Sequence, residues 1–284
     1  MPEPTTNPEI DPSVVDLDEA HDVAVAAART AGEIQRKQYG RDLAVRMKGK
    51  IDVVTEVDVA CERAVVEALQ GRFPEHRILA EEETDRGGDH PCRWVIDPLD
   101  ATVNFTHGLP FFCVSIGLEV AGERTLGVVY GPMQDELFVA RRGGGATLNG
   151  RPLAVSRTGA LVESVLVTGF AYNVHEAERD NLDNFAAFTR TARATRRTGC
   201  AALDLCYVAA GRFDGFWELG LKPWDMAAGS LMVTEAGGRV TRFDGSPHAL
   251  DVPEGVPEGV PEILATNGRI HDAMVEVLAR TAAG

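Results

Sequence analysis

The chain has 284 residues, 44% of them apolar and 25% charged, with a formal net charge of −15. That length suits one large domain or two closely joined halves, and so acidic a balance opposes nucleic-acid backbones and anionic membrane surfaces as partners. No apolar run reaches the roughly 18 residues of a membrane helix, the opening Met-Pro-Glu-Pro-Thr-Thr-Asn lacks the marks of a secretory signal, and five cysteines without paired metal spacing read as buried thiols of a reducing compartment. A cytoplasmic protein is expected. Its own charge would repel an anionic substrate at long range, so a phosphate site would need local positive charge, which metal ions can supply.

Residues 1–16, rich in proline and acid, read as a loose, disordered tail. Over 18–39 the residues Ala20, Val23, Ala24, Ala27, Ala31 and Ile34 share one helical face, and Gly40 offers a stop. A basic segment (Arg46, Lys48, Gly49, Lys50) precedes Asp52-Val-Val-Thr-Glu-Val-Asp58. There Thr55 and Asp58 have capping-box spacing, opening a helix that runs to Gly71. A short strand at 77–80 ends in Glu81, Glu82 and Glu83, and a polar loop over 84–92 follows. The apolar run Trp94-Val-Ile then meets Asp97-Pro-Leu-Asp100. Proline cannot donate to a sheet ladder, so the strand is expected to stop at Pro98 and the chain to turn. Asp97 would lie at a strand end with Asp100 one turn on. Asp100-Ala101-Thr102 reads as the start of a helical turn whose free N–H groups suit a phosphate.

Residues 111–120, 125–131 and 136–140 read as an antiparallel meander, with turns at Gly122-Glu123, Pro132-Met133, 143–145 and Asn149-Gly150. From Glu163 onward, strand-like runs (165–170, 215–219, 240–242, 263–266) alternate with helical ones (174–190, 200–211, 224–236, 268–282), the pattern of an α/β half. The boundary falls near 151–160, giving halves of 17–155 and 156–284. The tandem Val-Pro-Glu-Gly of 252–259 reads as a surface loop.

Magnesium demands hard oxygen ligands in near-octahedral geometry. Asp97, Asp100 and a glutamate of the 81–83 run offer them from adjacent strand ends. Asp225, in Lys222-Pro-Trp-Asp, offers another from the first turn of a helix that Pro223 opens. Each acid also has a plainer explanation. Asp225 could only compensate a helix dipole, the glutamates could be a solvated strand end, Asp58 could be only the capping partner of Thr55, and Asp-Pro is common turn chemistry. Taken one by one, the residues leave both readings open.

Taken in order, they resemble one family. Asp52-Val-Val-Thr-Glu-Val-Asp58, Glu81-Glu82, Asp97-Pro-Leu-Asp-Ala-Thr-Val-Asn-Phe-Thr-His-Gly-Leu-Pro-Phe-Phe, Glu218-Leu-Gly-Leu-Lys-Pro-Trp-Asp225 and Glu235-Ala-Gly-Gly238 together are similar to the inositol monophosphatases, magnesium-dependent and lithium-sensitive phosphatases. The likeness runs from about residue 18 to 282. It implies a layered αβαβα sandwich, α/β (α+β) in class, with a metal-binding half built on an antiparallel sheet, a substrate-binding α/β half, and assembly as a homodimer. It also implies two to three Mg2+ ions per subunit. Glu81, Asp97 and the Leu99 carbonyl would hold the first; Asp97, Asp100 and Asp225 the second; a weaker third would lie near Glu81. Thr102 and Asp58 would orient the attacking water beside Glu81, and the amides of Ala101 and Thr102 would take phosphate oxygens. Gly199, Cys200, Ala201 and Glu218 would face the alcohol part of the substrate.

The expected activity is hydrolysis of inositol monophosphate or a related polyol phosphate, a small-molecule ester. The alternatives are another small substrate (fructose 1,6-bisphosphate, histidinol phosphate, a 3′-phosphonucleotide) or a catalytically weakened regulatory dimer. Phosphoryl transfer needs positioning and charge stabilisation, not a nucleophilic side chain. His107 therefore reads as a loop histidine and Cys200 as a packed small side chain. One departure stands out: the family has glycine where this chain has Ala101. A helical φ there would merely crowd the pocket, whereas a positive φ would strain the backbone by about 1 kcal/mol.

Overall fold

The computed structural model describes residues 14–41, 45–47, 53–177, 179–250 and 261–282. Most of the expected tail, residues 48–50 of the basic segment, Asp52 and the Val-Pro-Glu-Gly repeat lie outside them. The first half runs α1 (Leu17–Gln38), β1 (Val45–Met47), β2 (Val53–Thr55), α2 (Glu56–Arg72), β3 (Arg77–Ala80), β4 (Asp85–Arg86), β5 (Cys92–Asp100), α3 (Thr102–Thr106), β6 (Cys113–Val120), β7 (Glu123–Gly131), β8 (Glu136–Arg141), β9 (Gly145–Leu148) and β10 (Arg151–Pro152). The second runs β11 (Val165–Thr168), α4 (Leu182–Thr191), β12 (Ala194–Arg196), α5 (Ala201–Ala209), β13 (Gly215–Leu219), α6 (Pro223–Glu235), β14 (Arg239–Thr241), β15 (Glu262–Thr266) and α7 (His271–Ala282).

An eight-stranded sheet in the order β10-β9-β8-β7-β6-β5-β3-β4 is antiparallel apart from the β3–β5 pair. A five-stranded sheet, β12-β11-β13-β15-β14, is parallel through its first three strands and antiparallel beyond. Helices α1 and α2 cover one face of the large sheet, α5 and α6 fill the space between the sheets, and α4 and α7 close the small one. This is the layered sandwich the sequence implied.

Small residues let the layers approach. The buried face of α1 is Ala20, Ala24, Ala27, Ala28 and Ala31, and the Asp16 side chain caps the helix at the amides of Asp18 and Glu19. On the other face of the large sheet, Gly117 and Gly127 meet Ala227 and Ala228 of α6; a Cβ on Gly127 would lie 2.9 Å from the Ala228 carbonyl oxygen. Helix α6 buries residues around most of its circumference, from Met226 to Val233. That is what a helix sandwiched between two sheets requires.

Two expectations are corrected. Strand β5 does not stop at Pro98: it pairs with β6 at Asp97↔Ser115, bulges, and pairs again at Asp100↔Cys113. A bulge is where a strand tolerates proline, and buried Gln35 of α1 satisfies it by donating to the carbonyls of Pro98 (2.8 Å) and Cys113 (3.3 Å). Helix α4 starts at Leu182 rather than near 174, because Asn181 has φ +69° and its side chain is tied elsewhere. Its amide donates to Thr168 Oγ1 (3.0 Å) and the Gly169 carbonyl (2.9 Å), and its oxygen accepts from Trp217 Nε1 (2.9 Å). The short strands β1, β2, β4, β9, β10 and β12, of two to four residues each, are too brief to carry an apolar alternation that the sequence could show.

Candidate active site

Because β3 and β5 are parallel neighbours (Ala80↔Ile96), Glu81, just past β3, and Asp97, within β5, lie side by side at the same end of the sheet. The Glu81 amide donates to the Ile96 carbonyl (3.2 Å), and Asp97 Oδ1 accepts from the Leu99 amide across the bulge (3.0 Å). Asp100 follows the bulge, its Oδ2 accepting from the Ala202 amide at the start of α5 (2.7 Å). Asp225 stands in the first turn of α6, its Oδ2 accepting from the Lys222 amide (2.7 Å). Three chain segments thus deliver four acids to one cleft of about 510 Å3. Leu99, Ala101, Thr102, Gly199, Cys200, Ala201 and Glu218 line it as well.

Asp58 lies behind the cleft wall. The capping box is present: Asp58 Oδ2 accepts from the Thr55 amide (2.8 Å) and hydroxyl (2.5 Å). Its Oδ1 is left for Thr102 Oγ1 (2.7 Å), a hydroxyl that also lies 3.1 Å from the Leu99 carbonyl. The structural reading of Asp58 and the functional one therefore share a single carboxylate. Helix α3 is held against the far wall by Asn104, which donates to the carbonyls of Phe111 (2.8 Å) and Thr198 (2.9 Å).

Electrostatics single the cluster out. Burial, then Glu81, then Asp100 and Asp225, push the Asp97 carboxyl well above the usual carboxylate range. Asp225 is pushed well above it by burial and by Asp100, with its Lys222 hydrogen bond and the Lys222 charge opposing. Asp100 is raised by burial against the pull of the Ala202 hydrogen bond, and Asp58 by burial against its threonine bonds. Acids that raise one another in a buried cleft require a cation to stay ionised together.

Ala101 settles the choice left open by the sequence. It is not the first residue of a helical turn: it precedes α3 with φ +76° and ψ +49°, in the left-handed region, and carries no side-chain cap. An L-residue is strained there. His107 is exposed and does not line the cleft. All five cysteines are free and buried, as expected. Cys113 and Cys200, within the apolar core, also adjoin a carboxylate, with Cys200 Sγ 3.2 Å from Asp100 Oδ2.

Sequence reading passed over Arg197, Lys222 and Gly169 as site residues, and all three line the cleft. The signal for Arg197 was present, since Arg196-Arg197 is a basic pair just before the Gly199 turn in an acidic chain. Gly169 admits Glu218: a Cβ at 169 would fall 2.2 Å from Glu218 Oε1. Glu218 itself is buried and pushed well above the carboxylate range by that burial and by Asp204, Asp225 and Asp100, with Arg197 opposing.

A sequence profile of the inositol monophosphatase family matches residues 16–281. Inositol-1-monophosphatase of Synechocystis sp. is 46% identical over 268 residues, 94% of this chain and 91% of the relative. Nus factor SuhB of Escherichia coli is 42% identical over 261 residues, 91% of this chain and 98% of the relative. The solved inositol monophosphatase of Anabaena (Nostoc) sp. superposes with a TM-score of 0.82 at 42% identity, over 94% of this chain and 97% of that one. By fold and kinship this is a phosphatase. The chain belongs to the inositol monophosphatase family.

Proposed function

We propose that the protein is a magnesium-dependent phosphomonoesterase acting on inositol monophosphate or a related polyol phosphate by attack of an activated water. The observation that carries this reading is the convergence of Glu81, Asp97, Asp100 and Asp225 on one cleft. The donor set fits magnesium: hard carboxylate oxygens and the Leu99 carbonyl, in a place where the acids repel one another. Glu81, Asp97 and the Leu99 carbonyl would hold one ion, Asp97, Asp100 and Asp225 a second, and Glu81 would help to retain a weaker third. Bound magnesium supplies positive charge against the phosphoryl oxygens and the departing alkoxide.

The chain's own residues do the rest. Thr102 Oγ1 donates to Asp58 Oδ1, so its lone pairs are free to accept from a water lying on the cleft side. Asp58, buried and with a raised affinity for protons, is suited to draw that proton through Thr102. The amides of Ala101 and Thr102 hold phosphoryl oxygens. Gly199, Cys200 and Ala201 shape the alcohol side, where the Glu218 carboxylate accepts from a substrate hydroxyl. Assembly as a homodimer in the cytoplasm belongs to the same reading; no described helix is long and apolar enough to cross a membrane.

A second reading, a weakened regulatory dimer, is favoured by the strained Ala101 and by relatives whose name is Nus factor SuhB. Phosphate release measured with and without magnesium separates the two. The panel is inositol monophosphate, another polyol phosphate, fructose 1,6-bisphosphate, histidinol phosphate and a 3′-phosphonucleotide. Magnesium-dependent release from the polyol phosphates supports the proposal, preference for a bisphosphate or nucleotide replaces its substrate, and no release from any leaves the regulatory reading.

A further inference from the structure

Behind the acid cluster lies a second set of ligand atoms of different chemical character. Asp100 and Cys113 face one another across β5 and β6, and Cys200 caps the start of α5. Cys200 Sγ is 3.2 Å from Asp100 Oδ2, Cys113 Sγ is 3.9 Å from the same oxygen, and the two sulfurs are 3.7 Å apart. All three residues are buried, and Asp100 and Cys200 reach the cleft wall.

Those separations put the three atoms on a circle of radius about 2.1 Å. An ion lifted about 0.9 Å out of that plane lies about 2.3 Å from each, the length of a zinc–thiolate bond. The S–metal–S angle is then about 107°, close to tetrahedral. The three ligand atoms already stand at these separations. The other such cluster among the described residues, His76, His90 and Cys92, lacks that readiness. Its Nδ1 atoms accept from Trp94 Nε1 (3.1 Å) and from the Cys92 amide (3.1 Å), which leaves the neutral rings protonated at Nε2.

We propose that Cys113, Cys200 and Asp100 form a binding site for a thiophilic divalent cation of the zinc and cadmium class, and that filling it stops turnover by engaging Asp100. Two sulfur ligands select soft or borderline ions against magnesium, so the site discriminates by chemistry where the neighbouring carboxylates do not. Binding converts two thiols to two metal-bound thiolates and releases two protons to solvent. Oδ2 of Asp100 already accepts the Ala202 amide, and the ion takes its remaining lone pair in place of the Cys200 S–H. A dication there draws on the carboxylate charge that the proposed second magnesium needs and repels that ion. The binding site rests on geometry alone; the effect on turnover also rests on the proposed role of Asp100.

The test is a titration of the magnesium-loaded protein with cadmium chloride, read by the ultraviolet sulfur-to-cadmium charge-transfer band and by phosphate release. The native protein is expected to show the band saturating at one ion per chain, with turnover lost in parallel. Cys113→Ala lies outside the proposed catalytic set and should keep its magnesium-dependent rate. It should lose most of the band and need on the order of 100-fold more cadmium for the same inhibition. Cys113→Ser, which keeps the size and exchanges soft sulfur for hard oxygen, should behave alike and stands in if the alanine variant misfolds. The proposal is overturned if the native protein shows no band, if both variants keep band and inhibition unchanged, or if added magnesium relieves inhibition equally in native and variant protein. Should the protein release no phosphate from any substrate, the band still reports the site, so loss of the activity reading is told apart from loss of this one.

Discussion

Ala101→Gly is the perturbation whose outcome the structure constrains most tightly. At φ +76° and ψ +49° an alanine carries roughly 1–2 kcal/mol of left-handed strain that glycine does not. Two effects oppose its relief. Glycine loosens the unfolded chain by about 0.4–1 kcal/mol, and removing a methyl that is 93% buried forfeits about 0.8 kcal/mol of burial. The three nearly cancel, so the folding free energy should change by less than about 1 kcal/mol, a melting-temperature shift of no more than about 4 °C. The functional effect should be visible above that background. The methyl sits on the cleft wall beside the amides that would meet the phosphate, and its loss should raise kcat/KM by about three- to tenfold, or up to about 1.4 kcal/mol in barrier. Magnesium affinity should stay within about threefold, roughly 0.6 kcal/mol, because Ala101 offers no side-chain ligand. Steady-state kinetics, magnesium titration and thermal melts on one preparation decide it. A tenfold change in magnesium affinity, or unchanged kinetics with a large loss of stability, would refute the placement of Ala101.

Gly169→Ala should drive the Glu218 carboxylate out of its position, since the new Cβ would overlap it. KM for substrates with free hydroxyls should rise by about tenfold or more, while rates on a phosphate ester without them barely change; equal effects on both would remove Glu218 from substrate recognition. His271, held between Thr241 and Thr266, should contribute less stability as pH falls from about 6.5 to 4, because burial lowers it to about 4, as it does His76 and His248, while the buried acids of raised proton affinity act in the opposite sense. In that window the unfolded chain's residue 271 binds a proton that the folded chain's does not, so the His271 contribution to ΔG of unfolding increases with pH, by on the order of 3 kcal/mol for this fully buried ring. Urea midpoints of the native protein and of His271→Gln across the window check this: the native midpoint should fall relative to the variant's on acidification, and a difference independent of pH would contradict it.

The parts of the site readable from the chain were those with local chemistry. The capping box at Thr55 and Asp58, the strand end before Glu81 and the proline-opened helix carrying Asp225 each follow from rules spanning a few residues. That Thr102 completes Asp58 is a contact across 44 positions, which no local rule could give. The bulge at Pro98 was misread for a related reason. Proline does prevent pairing, but whether a strand ends or resumes depends on Gln35, on a helix far upstream, accepting responsibility for the orphaned carbonyls. Likewise the start of α4 is set by Asn181 reaching Thr168 and Trp217, a tertiary tie that overrides helical periodicity. The left-handed φ of Ala101 was open in the sequence because alanine gives no sign of it; glycine would have.

The most direct test of the account is Asp97→Asn, the carboxylate proposed to serve two ions at once. Asparagine can keep the hydrogen bond from the Leu99 amide while losing the charge, so the fold should persist, and the ion-free variant should melt no lower than the native protein because a buried, mutually repelling acid has gone. Magnesium-dependent phosphate release should drop by about three orders of magnitude or more, and magnesium should no longer raise the melting temperature. A folded Asp97→Asn protein that turns over at a near-native rate would show that phosphate ester hydrolysis here does not depend on cations held by these acids.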